Sequence, residues 1–389
     1  MTMPFGHAWR CLCTAVVVSA VCAAPALAQG VHVMGAEGQG TQGAQTPPTP
    51  PAEGTTDQRQ YPSLKLSGFG DVNFSKTENP EGPTGFTLGQ LALHMASELS
   101  PRVTFFGEIS FSARPDAGTG SPAVTGFNTE VERMILRFDQ SDRLKVSFGR
   151  YHTPINYWNT AFHHGQWLQT TIARPEMIQF GGRLLPVHFV GALVEGSVPA
   201  GGWNLNYKAG LGNGRATAIS RGGDAGDVNG HRAWLANAFS KPDRLFGLEF
   251  GGSVYGDKVT TAAGDFDEQI ISGFATWQKE DPEVIAEVAA IRHEGAGGVE
   301  TWSHAYYVQA AYRLPQFKSL WKPYVRFEHI GVDDADMVFQ TVPRLDGTTV
   351  GVRYDASALT ALKGEYRTWT RGENSVRNQG GFFQVCFTF

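Results

Sequence analysis

The sequence predicts an all-β chain that closes into a transmembrane antiparallel β-barrel of about sixteen strands, and three observations point there. From Leu64 onward, apolar and polar side chains alternate through segments of about ten residues, the period of a strand. Beyond residue 28 no stretch approaches the ~20 apolar residues a membrane helix needs, so residence in a membrane must be by strands. The last ten residues, Gly380-Gly381-Phe382-Phe383-Gln384-Val385-Cys386-Phe387-Thr388-Phe389, form an alternating strand that ends on an aromatic ring.

Composition agrees. Of 389 residues 18% are charged and 12% aromatic, with 47 glycines and a net charge of -5. A soluble domain usually carries more charge, ~25%. The absence of any basic block argues against a nucleic-acid partner, because nothing would neutralise phosphates.

Taken in order, the chain opens with Arg10 as the only formal side-chain charge before an apolar stretch from Leu12 to Ala24 and the triplet Ala26-Leu27-Ala28. That is a signal peptide over 1–28, with cleavage expected after Ala28. Cys22 suggests lipid attachment, but Val21 before it is bulkier than that chemistry prefers. Cys11, Cys13 and Cys22 leave with the signal, so Cys386 remains and no disulfide or thiolate metal site is expected. Residues 29–60 are Gly, Gln, Thr, Pro and Ala with almost no large apolar side chain, which reads as a disordered periplasmic linker. A tether to peptidoglycan is the functional version, and a plain spacer is preferred.

The barrel occupies 61–389. Strands are expected near 64–76, 86–99, 102–113, 127–140, 143–152, 187–198, 203–214, 231–241, 245–256, 267–280, 283–294, 301–314, 321–331, 345–356, 361–371 and 380–389. In one of them Val103, Phe105, Gly107, Ile109 and Phe111 share a face, against Thr104, Glu108, Ser110 and Ser112. Short connections such as Ser100-Pro101, Ser141-Asp142, Lys241-Pro242-Asp243 and Asp281-Pro282 alternate with longer ones near 77–84, 114–126, 216–230 and 258–265. Short periplasmic turns and long external loops are the habit of outer-membrane barrels. Met177 to Leu185 could be a further strand, but that makes the count odd. The stretch at about 153–186 is therefore read as one long loop folded into the lumen.

The final strand should face outward with Phe383, Val385, Phe387 and Phe389, toward outer-membrane lipid. Its terminal Phe389 resembles the signal read by the barrel-insertion machinery. The same outward residues would serve lipid or a homotrimer, and the sequence does not choose.

Leu144-Lys145-Val146-Ser147-Phe148-Gly149-Arg150-Tyr151-His152-Thr153-Pro154 resembles the strand that opens the third loop in phosphate-selective porins and their uncharacterised relatives. Val187 to Gly196 and Pro199 to Gly214, ending Gly212-Asn213-Gly214, are similar to the next hairpin of that family. The resemblance implies an outer-membrane porin in an envelope of Gram-negative type, with an arginine ladder and a lysine cluster selecting anions. Here the expected pore-lining residues Arg133, Arg137, Arg143, Lys145, Arg326, Arg353, Lys363 and Arg367 are interleaved with Glu108, Asp139, Glu328, Asp355 and Glu365. A mixed wall is not an anion ladder, so phosphate selectivity is not carried over.

The loop holds further candidates. Trp158, His163, His164, Trp167 and Arg174 are the expected constriction residues, beside His152, Asn156, Asn159, Gln166 and Gln169. Aromatic rings among amides could form a stacking track for sugars or simply anchor the loop to the wall, and anchoring is preferred. His152, His163 and His164 invite a metal-site reading, but adjacent histidines rarely face one ion and no spaced carboxylate completes a set. No metal or cofactor is expected. Nor is a catalytic residue, since Ser303 and His304 are neighbours in one strand and point to opposite faces. The expected function is passive diffusion of small hydrophilic solutes or ions through a loop-constricted pore, the alternative a structural or adhesive barrel with a blocked lumen.

Overall fold

The computed structural model describes residues 60–389 except 79–83, 114–125, 163, 180–182, 216–218, 220–222, 228 and 373–375. The expected signal peptide, and all of the expected linker but Gln60, lie outside the described residues, as does His163.

Sixteen strands make one closed sheet in which every strand pairs antiparallel with its sequence neighbours and the last returns to the first. They are β1 (Lys65–Thr77), β2 (Gly85–Ser100), β3 (Val103–Ala113), β4 (Phe127–Ser141), β5 (Leu144–His152), β6 (His188–Val198), β7 (Leu205–Asn213) and β8 (Arg232–Ser240). Then follow β9 (Leu248–Thr261), β10 (Gly264–Gln278), β11 (Glu283–Glu294), β12 (Glu300–Ala311), β13 (Trp321–Gly331), β14 (Leu345–Ser357), β15 (Thr360–Arg371) and β16 (Val376–Thr388). Between β5 and β6 the described residues contain no strand, and Glu176–Ile178 is a single 3-10 turn. The even count therefore stands. One expected loop does not: 258–265 lies almost wholly in β9 and β10, which pair up to Thr261↔Gly264. Gly264, at φ +124, accommodates the tight reversal.

Alternation fixes the two faces. Along β12 Thr301, Ser303, Ala305, Tyr307 and Gln309 are buried, while Trp302, His304, Tyr306 and Val308 are exposed. Ser303 and His304 thus do point apart, and Ser303 is hydrogen-bonded to Asp336, 3.3 Å away. Exposed outward positions carry large apolar groups, among them Phe86, Met134, Phe148, Leu211, Ile271 and Phe327, a surface suited to hydrocarbon. On β16 Phe383 and Phe387 are exposed and Gln384 and Cys386 are buried, and Phe389 just beyond it is exposed.

The inner face is not uniformly polar. Ile155, Trp158, Met177, Ile178, Leu184 and Leu185 from the 153–187 segment pack on Leu235, Tyr255, Ile270, Ile285, Ile291 and Tyr307 of the wall. Val338, Phe339 and Val342 from the connection after β13 join the same cluster.

Three departures from regular pairing fall close together. Between β3 and β4 the register passes from Glu108↔Arg133 to Ile109↔Val131, leaving Glu132 as an extra residue. Between β1 and β2 it passes from Gly70↔Leu91 to Val72↔Leu88, leaving out Asp71, Gly89 and Gln90. Finally the β4–β5 ladder ends at Met134↔Arg150, whereas β4 runs on beside β3 and β5 runs on beside β6 to His152↔His188. The strands splay there.

Candidate functional site

The 153–187 segment is fastened to the wall mainly through its backbone. At its start Glu287 of β11 accepts hydrogen bonds from the amides of Trp158 (2.6 Å) and Tyr157 (3.1 Å), just where a one-turn helix, Trp158–Ala161, begins. Farther along, Arg353 of β14 donates to the carbonyls of Trp167 (2.6 Å) and Gln169 (2.9 Å). Lys363 of β15 donates to those of Gln166 and Thr171. Arg326 of β13 reaches the carbonyls of Ala173 (2.7 Å) and Arg174 (3.2 Å). Carboxylates answer the amides, Glu365 accepting from Ile172 (2.6 Å) and Glu328 from Glu176 (2.7 Å). An irregular segment away from bulk water must have its peptide groups satisfied, and here alternating cations and anions of the wall do that.

Five of the expected pore-lining residues, Arg326, Glu328, Arg353, Lys363 and Glu365, therefore point to the inside and meet the segment's backbone. Arg326 and Lys363 are each only 1% exposed. Asp355 pairs with Arg353 (2.8 Å) and with Arg313 of the neighbouring turn (2.5 Å). Arg133 binds Glu108 at 2.5 Å, with its guanidinium 4.3 Å above the Phe106 ring. Less covered are Arg137 and Asp139 on β4, paired at 2.8 Å, with Glu195 of β6 3.8 Å from Arg137. Lys145 lies opposite Glu195 in register, and Lys208 approaches that same carboxylate at 4.0 Å. Arg367 is partly exposed, 3.9 Å above the Phe382 ring. Arg143 is not on the wall, since it sits exposed in the turn before β5.

Among the loop candidates, Trp158 is fully buried between Phe162 and Tyr307, with ring centroids 4.9 and 6.0 Å away, so it anchors and offers no face to a solute. Trp167 is half-buried beneath Arg353. Asn159 donates to the carbonyls of Thr153 (3.0 Å) and Val187 (2.9 Å), closing the neck of the segment. Arg174 is buried.

One expectation is corrected. His152 and His164 do meet a carboxylate, Glu132, and a third imidazole, His188, in a group with metal-ligand spacing. Regular alternation from Arg133 and Arg137 places Glu132 on the lipid side, but the extra residue in β4 turns both Glu132 and Arg133 inward. His188 lies in the Val187 to Gly196 stretch but has no metal-ligand spacing in sequence, and only its register with His152 reveals the pairing.

The fold is a closed antiparallel barrel of sixteen strands with a segment packed inside it. No family model matches the chain, and no curated protein matches it. Solved structures do. The chain is similar to the anion-selective porin from Comamonas acidovorans, with a TM-score of 0.61 at 14% identity, covering 84% of this chain and 100% of that one. It is also similar to Salmonella typhi OmpF in complex with daunomycin (TM-score 0.55, 11% identity, 84% and 97% covered). The outer membrane channel DcaP of Acinetobacter baumannii gives a TM-score of 0.55 at 12% identity, with 84% and 97% covered. At such identities the likeness is one of fold.

Proposed function

We propose that this chain is an outer-membrane porin through which small hydrophilic solutes or ions diffuse, narrowed by the 153–187 segment. The observation that carries the reading is the fastening of that segment, by its backbone, to inward side chains of β11, β13, β14 and β15. A loop held on both its carbonyls and its amides is a fixed obstacle in the lumen. Partly exposed inward charges of both signs, Arg137, Asp139, Lys145, Glu195 and Lys208, supply a polar wall toward the short-turn end. Opposed charges set a transverse field that sorts solutes by size and charge, with no single sign dominating. Residues 1–28 would direct export and 29–60 would form a periplasmic linker. Association into a homotrimer belongs to the same proposal, and one of the similar structures, OmpT of Vibrio cholerae, has a trimer form.

The apolar cluster inside the barrel favours a second reading, a structural or adhesive barrel whose lumen is blocked. Single-channel conductance of the refolded mature chain in a planar bilayer under a salt gradient separates the two. Discrete open steps, enlarged on deleting 156–176, are expected of the porin. A correctly inserted but silent barrel would establish the blocked one.

A further inference from the structure

We propose that Glu132, His152, His164 and His188 form a buried site for a divalent first-row transition-metal ion of the zinc type, which staples the inserted segment across the splay between β4 and β5. The four residues each offer one ligand atom, and these atoms all lie within 4.8 Å of one another. His188 Nε2 and His164 Nε2 stand 2.8 and 3.1 Å from the same Glu132 oxygen. A tetrahedral zinc ion with bonds of ~2.0–2.1 Å sets its ligand atoms ~3.3 Å apart, so small side-chain rotations bring the set onto an ion. Three imidazoles and a carboxylate are a donor set that zinc and its borderline neighbours favour. Because all four positions come from protein and lie buried or nearly so, the site is of the closed, structural kind.

Hydrogen bonding around the group points the same way. Gln90 Oε1 lies 2.6 Å from His164 Nδ1, a contact that favours the tautomer protonated at Nδ1, and Nε2 stands 3.1 Å from the Glu132 carboxylate. In that tautomer the ring nitrogen and the carboxylate oxygen are both acceptors, and a cation between them joins the two. A metal ion shared by the four ligand atoms would satisfy the three rings and the carboxylate at once. The other Glu132 oxygen accepts from Ser110 at 2.7 Å, which fixes the carboxylate rotamer. Partners of this kind, outside the ligands, hold metal-binding side chains in place. Of the neighbouring guanidinium groups, Arg174 faces Glu132 itself, whereas Arg150 and Arg133 are largely neutralised elsewhere. Arg150 makes its shorter ion pairs to Asp224 (2.8 Å) and Glu130 (2.9 Å), against 3.3 Å to Glu132, and Arg133 is paired with Glu108.

The three neighbouring departures from regular pairing described above bear on this point. The extra residue in β4 aims Glu132 inward. The β1–β2 irregularity aims Gln90 at His164, with the Asp71 carboxylate receiving the Gln90 amide at 3.0 Å. That carboxylate fills the space where a side chain on Gly89 would stand. The β4–β5 ladder stops at Met134↔Arg150, two residues short of Glu132 and His152. Irregularities that re-aim side chains gather at functional sites.

The test uses the folded full barrel in detergent, stripped with a chelator and titrated with zinc by calorimetry, with bound metal counted by mass spectrometry. One zinc per chain is expected. His164→Ala and His188→Ala should each weaken binding by about 100-fold, and the positioning variant Gln90→Ala by about 10-fold. His304→Ala, at an outward histidine, should leave it unchanged. Should either alanine variant fail to fold by circular dichroism, Glu132→Gln, of the same shape, takes its place. Silence of the folded wild type at about 100 µM zinc, enough to fill a micromolar site, would overturn the proposal. So would binding that His164→Ala, His188→Ala and Glu132→Gln all leave intact.

Discussion

Arg326→Met tests how the inserted segment is held. The guanidinium donates to the carbonyls of Ala173 and Arg174, to Thr171 Oγ1 at 3.3 Å and to Glu328 at 3.3 Å, with 1% of the residue exposed. Methionine keeps most of the volume but strands two buried carbonyls and leaves Glu328 without its cation. Orphaning one buried acceptor costs ~1–3 kcal/mol. Breaking a buried ion pair costs ~3–5 kcal/mol. These contributions overlap, and water entering beside the half-buried Glu328 relieves part, so ~3 kcal/mol is the working figure. At ~1.4 kcal/mol per decade, local opening of the short stretch from Thr171 to Glu176 becomes about 100-fold more populated. Hydrogen exchange reads this directly. The amides of Ile172, Ala173 and Glu176, bonded to Glu365 and Glu328, should lose about 100-fold of their protection while the β10–β12 ladders keep theirs. Protection within about threefold of wild type in a folded variant would show that Arg326 is not what fastens the segment.

Trp158→Ala should lower unfolding stability by ~3–5 kcal/mol, read from the urea midpoint, because a fully buried indole leaves a cavity in the inner cluster. Gly149→Ala should abolish refolding to the barrel, as its Cβ would stand 1.8 Å from the Met134 carbonyl at φ +145. Gly264→Ala, at φ +124 with nothing within 4 Å, should refold and cost only ~1–3 kcal/mol of backbone strain, seen as a shifted midpoint. Glu280 lies in the turn after β10. Burial pushes its carboxyl up, but Lys322 and Arg313 outweigh this and hold it at about 2. A carboxyl depressed in the folded state stabilises above its ordinary value of 4.5, and that stability is lost as pH falls from there through about 2. With the side chain 46% exposed the effect should be ~1 kcal/mol at most, visible as a midpoint drop over that window that Glu280→Gln removes.

Strand positions were legible because alternation is enforced residue by residue once one face meets hydrocarbon. Trp321 to Ile330 shows it, with Lys322, Tyr324 and Arg326 inward as the period demands. The same rule misplaced Glu132, since one extra residue reverses the phase and leaves no mark in composition. Gln90 was missed for a like reason, and His188 because only cross-strand register brings it to His152. The inner apolar cluster did leave a signal. From Val284 to Ile291 only Glu287 is polar, and a strand apolar on both faces must meet something apolar on each.

That strand has a consequence for how the barrel comes together. Its wall is greasy on two sides, one for lipid and one for the segment it encloses. A cylinder closed around an undocked segment would hold a wet cleft lined by Leu235, Ile270, Ile285 and Ile291, a costly intermediate. Docking and closure are therefore thermodynamically linked. The segment acts as a mandrel on which the sheet is wound, so the barrel and its contents should melt as one cooperative unit rather than as a shell and a guest.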